Sequence, residues 1–178
     1  MNLILFGFKK CGKTYYGKRI AKELGLPFLD TDQRLEEIYS LMTGEFLTFR
    51  EIFRKLGQDT FRELETHVIE GLKGLDNTII AVGGGAILNY KNREILEKLG
   101  KLVYLKIAKE PLKERLLSED QPAYLDPNDQ MRSFEKMYDE RKPLYEKIPA
   151  VWIDTTGKSE EEVTQMLKNL MQPKKHQV

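Results

Sequence analysis

The chain is poor in cysteine and histidine. A single cysteine, Cys11, stands among 178 residues, with two histidines. One thiol cannot close an internal disulfide, and no Cys/His cluster has zinc-ligand spacing. An excess of either charge is also missing. Twenty-nine basic and 28 acidic residues leave a net charge of +1, so nothing in the overall charge calls for nucleic acid or a membrane surface as partner. Any basic patch must be local, as in a site for a small anion. No uninterrupted apolar run approaches the roughly 18 residues of a membrane-spanning helix. The opening "MNLILFGF" has no basic flank and only a short apolar run, so it is not read as a secretory signal. The expected location is the cytoplasm.

Apolar residues make up 40% and charged residues 32% of the chain, a globular composition. The length suits one domain, 1–178, with a full core. Short apolar runs alternate with helical patterns. "NLILF", "LPFLD", "TIIAV", "KLVYLKI" and "AVWIDT" read as strands. Between them, helical periodicity appears from Lys13 to Leu24, across 33–74 with breaks near Gly44 and Gly57, and from Asn89 to Leu99. It returns at 109–118, at 131–148 with an interruption at Pro143, and after Ser159, the expected N-cap. A polar stretch with two prolines, 119–130, reads as a loop, and 173–178 as a frayed tail. Five strands separated by helices predict a parallel sheet covered on both faces, a three-layer α/β/α sandwich. In such sheets ligands sit at the carboxyl ends of the strands.

That rule directs attention to four strand ends, 7–14, 30–32, 83–85 and 155–158; the first three carry motifs, and two further motifs lie in helical stretches. "GFKKCGKT" at 7–14 fits Gly-x-x-x-x-Gly-Lys-Thr between a strand and a helix. Glycines there let backbone N–H groups turn onto phosphate oxygens, and the helix N-terminus adds positive potential. Lys13 is placed to reach the β- and γ-phosphates and Thr14 to ligate Mg²⁺. "LDTD" puts Asp30 and Asp32 on one side of an extended chain. They suit a metal carboxylate and a base for an accepting hydroxyl; capping of the next helix, by Asp32, is the alternative. "FRELE" pairs Arg62 with Glu65 at i, i+3. This is either a solvated surface pair or a guanidinium oriented toward a substrate carboxylate. "AVGGGAI" ends a strand in Gly83, Gly84 and Gly85, which bring a ligand close to bare backbone. Arg141, before Pro143, is a second candidate arm for an anion. His67 reads as a surface residue. Trp152, Met131 and Met137 read as packing, and Cys11 as a thiol without function.

Together, "GxxxxGKT", "LDTD", "FRxxE", "GGG" and "RxPLY" (141–145) resemble the shikimate kinase family in kind and order. The resemblance implies a P-loop kinase fold with a substrate-binding helical region at about 33–74 and a lid at about 115–131. It implies transfer of the γ-phosphoryl group of ATP to the 3-hydroxyl of shikimate with Mg²⁺, a step toward aromatic amino acids, with no nucleic-acid or membrane partner and a monomeric state. It further implies that backbone from Lys10 through Cys11, Gly12, Lys13 and Thr14 to Tyr15 cradles the phosphates. Thr14 then ligates the metal, Asp30 holds it through water, and Asp32 binds the ring hydroxyls and orients or deprotonates the accepting one. Arg62 and Arg141 clamp the carboxylate, Gly83–Gly85 line the ring, and Arg115 stacks on adenine.

Gln121-Pro122 stands where the family's lid has Arg-Pro, which keeps hydrogen bonding to the phosphates but loses the charge. Gln58 replaces a usual glutamate, and the segment from Asp32 to Arg62 is longer than typical. Two other readings stay open at this point. A gluconate-type P-loop kinase would share the loop and lid without needing Arg62, Arg141 and the glycine triplet together. A non-catalytic relative would account for Gln121, but not for intact Lys13, Thr14 and Asp32.

Overall fold

The computed structural model describes residues 1–118 and 129–171. Five parallel strands, β1 (Asn2–Phe6), β2 (Phe28–Asp30), β3 (Ile79–Ala81), β4 (Gly100–Lys106) and β5 (Val151–Asp154), form one sheet in the order β2-β3-β1-β4-β5. All five predicted strands are present. The central strand β1 is buried along its whole length, so the loop that follows it leaves from the middle of the sheet's carboxyl edge.

Side chains alternate across a strand, and β1 shows what each face carries. Leu5 lies under helix α1 (Lys13–Leu24), where a Cβ on Gly17 would come within 3.4 Å of its methyl. Phe6 points the other way, its ring 6.1 Å from that of Tyr145 on helix α7 (Gln130–Glu146). Helices therefore cover both faces, as expected for a parallel sheet. Helix α8 (Glu160–Met171) packs against α1. It opens at the expected N-cap Ser159, which forms a capping box with Glu162: each backbone N–H donates to the other's side chain, at 2.7 and 3.2 Å.

The helical region is three helices: α2 (Thr31–Thr43), α3 (Phe49–Leu56) and α4 (Gln58–Glu70). The breaks fall at Gly44 and Gly57, both at positive φ. A separate small core of Leu35, Tyr39, Ile52, Phe61 and Val68 holds these helices together. Helices α5 (Tyr90–Leu99) and α6 (Lys109–Ser118) complete the set among the described residues.

Four expectations change. Helix α2 begins at Thr31 rather than Gln33, because Asp30 is the N-cap: the Asp32 N–H donates to Asp30 Oδ1 at 3.0 Å. Helix α7 runs unbroken through Pro143. The carbonyl that Pro143 cannot pair belongs to exposed Asp139, where water can satisfy it. Trp152 is 45% exposed on the edge strand, its ring edge-on to Tyr104, and is not a core residue. Met131 is also exposed, whereas Met137 is buried as expected. His67 is exposed and Cys11 fully buried.

Candidate active site

The loop after β1 turns on glycine. Gly12 has φ 106°, a left-handed value, and a Cβ there would strike the Tyr16 ring at 2.8 Å. No side chain caps α1, so its first N–H groups face the cavity, a natural seat for phosphate. Lys13 Nζ donates to the carbonyls of Gly7 at 3.1 Å and Phe8 at 2.8 Å. Lys10 adopts φ 61°, and its carbonyl accepts from Arg115 Nη1 at 3.4 Å. This contact ties the end of α6 to the loop.

A cavity of about 780 Å³ opens over the loop. Lys10, Gly12, Lys13, Thr14, Tyr15, Asp30, Asp32 and Arg115 all line it. Tyr15 is half exposed, and its hydroxyl donates to Glu160 at 2.5 Å on the rim. Thr14 Oγ1 donates to Asp30 Oδ2 at 2.6 Å. One carboxylate thus caps α2 with one oxygen and takes the loop threonine with the other.

The second cavity, of about 190 Å³, lies beside the first. It gathers residues that are far apart in sequence: Asp32, Arg62, Glu65, Gly83–Gly85 and Arg141. Glycine is required here by proximity. A Cβ on Gly83 would sit 2.6 Å from Asp32 Oδ1, and one on Gly85 would sit 2.7 Å from Arg62 Cζ. The triplet is tethered on both sides. Gly83 N–H donates to Thr31 Oγ1 at 3.0 Å, and the Tyr145 hydroxyl donates to the Gly84 carbonyl at 2.6 Å.

Arg62 Nη1 donates to Glu65 Oε2 at 2.7 Å, with the Glu65 side chain only 6% exposed. The pair is therefore not a solvated surface bridge. Burial pushes the Glu65 carboxyl up, while Arg62 and Arg141 pull it down. Burial, then the negative charge of Asp30, pushes Asp32 up to about 6, against the opposing pull of Lys13 and Lys9. Asp32 is thus a carboxylate at neutral pH with a basicity close to that of a working general base.

Gln121 lies outside the described residues. Cys11, fully buried under the loop, lines neither cavity. The remaining predicted site residues divide between the two, with Lys13 and Asp32 on both. The structure adds Lys9, Phe49, Arg50, Phe53, Gln58 and Phe61 to the wall of the smaller one. Phe61 and Gln58 belong to the "FRxxE" neighbourhood and carried a signal. Phe49 and Arg50 carried none, because they reach the cavity from another helix.

Comparison with known proteins agrees with this geometry. The family model described as "Shikimate kinase" matches residues 9–172. A shikimate kinase of Clostridium botulinum is 37% identical over 155 residues, covering 86% of this chain and 88% of that one. A shikimate kinase of Thermodesulfovibrio yellowstonii is 34% identical over 166 residues, 93% and 92% of the two chains. Among solved structures, the shikimate kinase from Acinetobacter baumannii in complex with shikimate superposes with a TM-score of 0.83 at 30% identity, over 96% and 92%. A parallel sheet with a phosphate loop, an adjoining small cavity and matches along nearly the whole chain give one conclusion: this chain belongs to the shikimate kinase family.

Proposed function

We propose that this chain is an ATP-dependent kinase that phosphorylates the 3-hydroxyl of shikimate, giving shikimate 3-phosphate on the route to aromatic amino acids. One observation carries the reading: Lys13 and Asp32 line both cavities. A nucleotide in the larger cavity and a small acceptor in the smaller one therefore meet at a lysine and a carboxylate.

Each residue has a role that follows from its position. The backbone from Lys10 to Tyr15 cradles the phosphates and Lys13 neutralises the γ-phosphoryl group. Arg115, at the cavity rim, is placed for the adenine face. Arg62 and Arg141 fork onto the shikimate carboxylate, with Glu65 holding Arg62 in orientation. The backbone of Gly83–Gly85 lines the ring. Asp32 orients the 3-hydroxyl and accepts its proton.

Thr14 and Asp30 fit Mg²⁺, since both offer hard oxygen ligands beside the phosphate site. The described residues contain no cluster of three metal-binding side chains. That suits an ion held by one or two protein oxygens together with substrate phosphates. Bound there, Mg²⁺ would neutralise charge on the β- and γ-oxygens. No helix among the described residues is long and apolar enough to cross a membrane; we assign the protein to the cytoplasm, acting as a monomer.

The test is ADP release with ATP and Mg²⁺ against shikimate, quinate and gluconate. Release dependent on shikimate supports the proposal. Equal release with gluconate, or binding of shikimate without release, overturns it.

A further inference from the structure

Lys9, the first of the loop's three lysines, occupies a position that the roles above leave unused. Phe8 is anchored in the core, its ring stacked 4.9 Å from Tyr138 and edge-on to Tyr145 at 4.9 Å. The next residue, Lys9, extends into the site. Its Nζ stands 4.0 Å from the centroid of the Phe49 ring. That ring is itself held in place. Phe49 opens α3, whose start is set by the Thr48–Glu51 capping box, and the Phe49 N–H donates to Glu36 Oε1 at 2.8 Å. Lys9 and Phe49 line both cavities, as Lys13 and Asp32 do.

An ammonium at the boundary between nucleotide and acceptor has a chemical use. During transfer a bond forms between the acceptor oxygen and Pγ, and the bond from Pγ to the β–γ bridging oxygen breaks. The leaving electron pair goes to ADP, and the hydroxyl proton goes to Asp32. Negative charge spreads over the three equatorial oxygens, and fixed cations aimed at them lower the barrier. A charge-assisted hydrogen bond to a phosphoryl oxygen is stronger than the contact of an ammonium with a ring face that water reaches.

We propose that Lys9 is a catalytic residue: its ammonium donates a hydrogen bond to an equatorial oxygen of the phosphoryl group in flight, beside Lys13. This rests on the kinase reading above. The bland alternative is that Lys9 only covers Phe49.

The test compares the full chain with Lys9→Met and Lys9→Arg in steady-state assays with ATP, Mg²⁺ and shikimate. Loss of one such donor commonly lowers turnover about 10²–10³-fold. That loss is expected in kcat for Lys9→Met, with the KM for shikimate changed less than about threefold and Lys9→Arg restoring most of the rate. Inhibition by ADP with aluminium fluoride and shikimate, which imitates the transferring group, should weaken in parallel while ADP alone binds as before. If Lys9→Met does not fold, Lys9→Gln carries the same expectation. A kcat within about threefold of the parent, or a loss confined to KM, overturns the proposal and leaves the kinase reading intact. A parent chain without shikimate-dependent turnover overturns both.

Discussion

Replacing Asp32 by asparagine should make the protein more stable and almost inactive. The carboxyl is pushed from an ordinary 3.8 to about 6 by burial and by Asp30. A raised carboxylate pKa means the folded state favours the neutral form. Its contribution to stability is present below the unfolded value near 3.8 and is lost as pH rises through about 6. Each tenfold change in proton affinity is worth about 1.36 kcal/mol, so the ionised group opposes folding by about 3 kcal/mol at neutral pH. Asparagine keeps the shape and removes the charge. Urea unfolding of Asp32→Asn should show a gain approaching 3 kcal/mol at pH 8 that disappears near pH 4. Turnover should fall about 10²–10⁴-fold with loss of the base. An Asp32→Asn protein with unchanged or lower stability at pH 8, or a gain that does not depend on pH, refutes the reasoning.

Other consequences follow from the same geometry. In the parent enzyme, kcat/KM should fall tenfold per pH unit below about 6, because protonated Asp32 cannot accept the hydroxyl proton; a flat profile from pH 5 to 8 contradicts this. Gly85→Ala should lower the melting temperature although its φ of −87° suits alanine, because the added methyl drives Arg62 from the buried Glu65 carboxylate. Its methyl must displace the flexible Arg62 guanidinium, so the KM for shikimate should rise about 10–100-fold, the worth of a charged hydrogen bond. Gln121→Arg should raise kcat, because an arginine can add charge stabilisation to the transferring group that glutamine cannot; an unchanged or lower kcat counts against a phosphate role for this position.

Much of this was legible in the chain because three of the five strands, β1, β2 and β3, were written twice, as an apolar run and as the motif ending it. The loop at Gly7–Thr14 announced both β1 and the phosphate seat, and Gly83–Gly85 closed β3 while marking a backbone approach. Local spacing was a poorer guide where two elements compete for one residue. Asp30 and Asp32 looked alike in sequence, but Asp30 both caps α2 and accepts from Thr14. Asp32 is left facing the acceptor cavity. Pro143 read as a break because its missing N–H is visible in sequence, whereas the exposure of Asp139 is not. Trp152 read as core because a sequence does not mark which strand lies at the edge. Lys9 and Phe49 meet only when α3 folds over the loop, and no periodicity records that encounter.

The central claim is that one cavity passes its phosphoryl group to a small acid in the other. Phosphorus NMR of ATP, Mg²⁺ and shikimate incubated with the protein tests it directly. The account predicts that the γ-resonance of ATP gives way to a phosphomonoester resonance coupled to the ring proton at the 3-position. Inorganic phosphate as the only new signal, or an unchanged ATP spectrum, would contradict it.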